Sequence, residues 1–64
     1  MELDLHGIKH EDVDRIVENF VLLNKPPLTI ITGNSHKMKD IVGDVLKRHN
    51  IKFEEWSNAV WKIL

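Results

Sequence analysis

Leu3-Asp4-Leu5-His6-Gly7 sets a carboxylate two residues before an imidazole and stops at a glycine. Two apart on an extended strand, Asp4 and His6 project from one face. There the carboxylate can orient the imidazole through a bridging water or a neighbour, and the imidazole can shuttle a proton near neutral pH. The same residues also read as a turn, in which Asp4 bonds locally and His6 only helps reverse the chain.

A second group follows at Thr32-Gly33-Asn34-Ser35-His36-Lys37-Met38-Lys39. A glycine that ends a strand, followed by a serine suited to cap a helix, leaves free backbone N–H groups at the positive end of that helix. Such a loop holds a phosphate without a metal. His36 and Lys37 on the first helical turn can face a scissile phosphate as acid and electrophile, with Lys39 behind them, or they form a solvated helix start.

The four histidines do not assemble a zinc site, because His6 and His10 straddle a turn and His49 lies at the far end of the second helix. Asp4, His6 and a substrate phosphate could hold Mg²⁺ transiently, since that ion keeps most of its waters. The residues imply no other cofactor.

The elements that must position these groups follow from periodicity. Residues 2–6 alternate polar and apolar as a half-buried strand. Val13, Ile16, Val17, Phe20 and Leu23 recur at helical spacing over about 10–24, with Glu11, Asp12 and Asp14 in the first turn and Pro26-Pro27 as a stop. Leu28-Thr29-Ile30-Ile31-Thr32 suits a central strand. Met38, Ile41, Val42, Val45 and Leu46 define a second helix over about 36–49, with Asn50 as a left-handed cap and Gly43 costing about 1 kcal/mol relative to alanine.

Residues 52–56 and 59–64 complete a hairpin around Ser57-Asn58. That two-residue turn puts Trp56, Ala59, Trp61 and Ile63 on one face, under the helices, and Phe53, Glu55, Val60, Lys62 and Leu64 on the other. The alternative for Trp56 and Trp61 is stacking on bases. The order βαβαββ predicts a two-layer α/β (α+β) sandwich: a four-stranded mixed sheet in order 1-2-4-3, last strand antiparallel, with two helices on one face. The strand ends at His6-Gly7 and Thr32-Gly33 then form one pocket.

With 64 residues the chain is one domain, 1–64, and 42% hydrophobic against 30% charged residues is the composition of a folded globule. A chain this size buries only about 60% of its unfolded surface. With no cysteine, the core alone must hold it. No apolar stretch approaches the ~20 residues of a membrane span, and the acidic start is not that of a signal peptide, so a cytoplasmic protein with no membrane partner is expected. The net charge of −1 excludes a protein that coats nucleic acid by bulk electrostatics. Residues 1–32 hold three basic and six acidic side chains and residues 33–64 hold six and four, so a polyanion should approach the second half.

The segments Leu3-Asp4-Leu5-His6-Gly7 and Ile31-Thr32-Gly33-Asn34-Ser35-His36-Lys37-Met38 resemble the two signature segments of the Smr (small MutS-related) domain, and the resemblance spans nearly the whole chain. The first matches the family's Leu-Asp-Leu-His-Gly box at all five positions. The resemblance implies a βαβαββ fold similar to the C-terminal domain of bacterial translation initiation factor three. It also implies binding or nicking of structured or branched DNA or RNA. The second segment departs from the family's Gly-x-Gly, because Asn34-Ser35 follows Gly33 in a loop about one residue shorter, which favours binding over cleavage.

Two functions therefore stand as expectations. In the first, an endonuclease uses Asp4, His6 and His36 catalytically and holds the phosphate with Gly7, Thr32, Gly33, Asn34, Ser35, Lys37 and Lys39. In the second, a non-catalytic module binds nucleic acid or protein through the open sheet face and the basic second helix.

Overall fold

The apolar residues at helical spacing and the short β-branched runs form the elements their periodicities predict. The computed structural model describes residues 1–64, in the order β1 (Glu2–Asp4), α1 (His10–Leu23), β2 (Leu28–Ile31), α2 (His36–Arg48), β3 (Glu54–Glu55) and β4 (Val60–Ile63). β1 and β2 are parallel, with Asp4 opposite Ile31. β4 runs antiparallel to both neighbours and lies between β2 and β3, which gives the sheet order 1-2-4-3. This is the two-helix, mixed-sheet α+β architecture expected.

One sheet face carries Leu3, Leu5, Leu28, Ile30, Trp61 and Ile63 and packs on both helices in a core of eleven buried residues. The other face, with Glu2, Asp4, Thr29, Ile31, Val60, Lys62 and Glu54, is open. α1 enters the core through Val13 and Val17, and α2 through Met38, Val42, Val45 and Leu46. Gly43 faces the sheet, where a Cβ would sit 3.5 Å from the Trp61 ring, an ordinary contact. Two polar contacts join the helices on their outer side, Arg48 to Asp14 and His49 to Glu18, each at 2.8 Å. The hydrogen bond it donates to the Asp14 carboxylate holds the Arg48 guanidinium above its usual pKa.

α2 ends as its sequence predicts. Asn50 takes φ 57°, and its N–H donates to Lys47 O while that of Ile51 donates to Leu46 O, a Schellman closure that returns Ile51 to the core.

The hairpin departs from its expected register. Glu54 faces Lys62 and Glu55 faces Trp61, so the loop holds three residues, Ser57, Asn58 and Ala59, rather than two. Asn58 does not take the positive φ that the two-residue turn requires. Instead the Ser57 hydroxyl accepts from the N–H groups of Ala59 (3.3 Å) and Val60 (3.2 Å), and Val60 O accepts from both Trp56 N–H and Ser57 N–H. A slip of one residue turns every side chain of the strand to the opposite face.

Phe53 therefore joins the core side, its ring stacked on Trp61 at 4.8 Å between centroids and 5° between planes. Trp56 leaves it. Trp61 lies under the helices as expected, 4% exposed, but Trp56 is 65% exposed on the open side, with the Lys62 ammonium 5.1 Å from its ring centroid. The Trp61 indole N–H is buried without a hydrogen-bond partner.

Candidate functional site

β1 and β2 finish side by side, because the Leu5 N–H continues their ladder by donating to Ile31 O at 3.0 Å. Beyond β1, Leu5 is fully buried and anchors a tight turn closed by Ile8 N–H to Leu5 O, 3.1 Å. Gly7 at the turn's third position has φ +80°, as a type II turn requires. His6 occupies the turn's second position and is exposed. Its own N–H donates to Asp4 Oδ1 at 2.9 Å, so the Asp4 carboxylate fixes the backbone of the turn, and no hydrogen bond joins it to the imidazole ring.

Beyond β2, Thr32 is buried, and its N–H and hydroxyl are both committed. Its N–H donates to Ala59 O at 2.7 Å, and its hydroxyl lies 3.0 Å from Gly33 O and 3.3 Å from Ala59 O. Gly33 N–H also reaches Ala59 O, at 3.3 Å. Thr32 and Gly33 thus brace the end of β2 against the β3–β4 loop, and the donors available to a ligand begin one residue later. The N–H groups of Asn34, Ser35, His36 and Lys37 have no partner in the chain.

Ser35 caps α2, its hydroxyl accepting from Met38 N–H at 3.1 Å. The first turn of α2 carries no acid, whereas that of α1 carries Glu11 and Asp12. Four consecutive free donors, the positive helix end and Lys37 therefore coincide, an arrangement that attracts anions. Gly33 has φ +69°, and nothing lies within 4 Å of where a Cβ would stand on Gly33 or on Gly7, so the approach to both turns is open.

His36 and Lys39 lie to one side of this spot. They line a groove of about 420 Å³ between α2 and the β3–β4 hairpin, together with Asp40, Asp44, Lys47 and Glu55. His6 follows the opposite edge strand, so the fold gathers His6, Gly7, Gly33 and Asn34 at the β1–β2 ends and His36 with Lys39 beside the hairpin. No group of three His, Cys, Asp or Glu side chains gathers to hold a metal ion, and Asp4 offers one free carboxylate oxygen.

Sequence reasoning missed one contributor and left base stacking by Trp56 as its second choice. The Ala59 carbonyl receives the end of β2, a role for a backbone atom that no residue type signals. Trp56 follows β3 at the level of Asp4, Ile31 and Val60 on the open face, and three strand spacings, about 14 Å, separate β1 from β3. No family model, curated protein or solved structure matches this chain.

Proposed function

We propose that this chain is a cytoplasmic nucleic-acid-binding domain of the Smr type, which takes a backbone phosphate of structured DNA or RNA at the start of α2. The observation that carries this reading is the run of four unpartnered N–H groups at residues 34–37, opening beside two glycines with positive φ. Lys37 and Lys39 supply local positive charge to a chain of net charge −1. Trp56, exposed and about 14 Å across the open face from β1, offers a base a stacking surface.

His6, exposed at the mouth of the same site, is the group that would transfer a proton in phosphodiester nicking. One observation favours a second reading, binding without cleavage: Asp4 spends its hydrogen bond on the His6 backbone, so the imidazole lacks a carboxylate to orient it.

The test is incubation of the protein with labelled branched DNA and stem-loop RNA, with and without Mg²⁺, followed by gel shift and by strand analysis. Binding should weaken on Lys37→Ala, and Trp56→Ala should weaken it roughly 5- to 100-fold, as loss of one stacked base implies. His6→Ala should lower any nicking by at least ~100-fold while leaving the shift unchanged. A wild type that binds but does not cut establishes the second reading; no shift with any substrate overturns both.

A further inference from the structure

Both edges of the sheet are free, and their charges differ. β1 presents Glu2 and Asp4 to either side of Leu3, so a two-fold pairing of this edge centred on Glu2, Leu3 or Asp4 sets carboxylate against carboxylate. Acidic side chains of this kind keep an edge from pairing. The β3 edge also carries two acids, Glu54 and Glu55, but a cation, Lys52, stands just before them. This edge is approached through Lys52-Phe53-Glu54, a cation and an anion flanking an aromatic residue.

The hydrogen-bond alternation determines which residues face outward there. Trp56 N–H donates to Val60 O at 3.0 Å, so Trp56 and Glu54 turn their backbone groups toward β4, while Phe53 and Glu55 turn theirs away from the sheet. The N–H and C=O of Phe53 have no partner in the chain. An apolar groove of about 730 Å³, lined in part by Ile51, Phe53 and the 72% exposed Leu64, opens along the same edge.

We propose that two copies of this chain associate through the β3 edge, antiparallel and two-fold, with Phe53 at the axis. That register lets each Phe53 exchange its N–H and C=O with Phe53 of the second copy, and it sets Lys52 opposite Glu54 of the second copy twice over. Each Glu54 already faces Lys62 within its own sheet, so the charges alternate across the junction. A two-fold centred on Glu55 would oppose like charges, so electrostatics select the Phe53 register. The product is a continuous eight-stranded sheet, in which the groove of His36 and Lys39, lined also by Phe53, lies next to the junction. Because β3 is short, the association is weak and depends on concentration.

Sedimentation equilibrium from micromolar to millimolar protein tests this, with circular dichroism to confirm that each variant is folded. The wild type should move toward dimer mass as concentration rises. Lys52→Glu and Glu54→Lys each replace two attractive pairs by two repulsive ones and should each weaken self-association by about 10-fold or more. An equimolar mixture of the two variants should associate, because Glu at 52 of one then meets Lys at 54 of the other and the remaining pair is the native one. A wild type that stays monomeric at millimolar concentration overturns the proposal, as do single variants that associate like the wild type or a mixture that stays monomeric.

Discussion

Ser35 decides where α2 begins, through one hydrogen bond from Met38 N–H to its hydroxyl. Replacing it with alanine removes the cap and should lower stability by about 1 kcal/mol in urea unfolding. It should also weaken binding of branched DNA, since the free N–H groups of residues 34–37 are aligned by that first turn. Much at this scale was legible. A serine after Gly-Asn signals a cap by its chemistry, Asn50 signals a left-handed exit, and Gly7 and Gly33 take the positive φ that glycines at strand ends commonly supply. The commitment of Thr32 and Gly33 N–H to Ala59 was not legible. It depends on a carbonyl twenty-six residues further along from Gly33, brought there by the sheet.

Among the elements, α2 and the hairpin show why some features escape a reading of the sequence. Gly43 reads as a defect in a helix, yet it faces the Trp61 ring, and a Cβ at 3.5 Å would make an ordinary contact. Gly43→Ala should therefore recover most of the propensity that glycine costs. We expect a stabilisation of about 0.5–1 kcal/mol, a rise of several degrees in thermal midpoint for a chain of this size. A fall in midpoint would overturn the reading of that contact as an ordinary one. The hairpin was legible as two strands and a turn but not in register. Ser57-Asn58 fits a two-residue turn, and only the side-chain bonds of Ser57 together with the burial of Phe53 on Trp61 select the three-residue loop. That single residue of slip decides whether Trp56 is core or surface, and so which aromatic, Trp56 or Phe53, stands on the open face.

For the whole molecule, topology was the most legible property, because the order of elements and the right-handed crossover rule leave few arrangements of four strands. The charge distribution carries a prediction at the same scale. With a net charge of −1, the proposed nucleic-acid binding would rest on the local donors of the α2 start and not on the surface as a whole. The logarithm of the binding constant should fall with the logarithm of salt concentration with a shallow slope of about −2, as for two neutralised phosphates. Lys37→Ala or Lys39→Ala should each flatten that slope by about 1, measured by fluorescence titration against labelled DNA.

The position of β4 between β2 and β3 has a consequence for the order of assembly. Strands that neighbour one another in the sequence usually join as they appear, and β1, α1 and β2 can do so with a parallel pair and a helix to cover it. β3 cannot, because its only partner in the chain is a strand that follows it. Until Val60–Ile63 is inserted, β2 lacks its second neighbour, Ile30 and Leu28 lack Trp61 and Ile63 beside them, and β3 has nothing to pair with. The sheet is therefore closed from its middle by the last strand of the sequence, like a keystone, and loss of those four residues would divide the fold rather than trim its border.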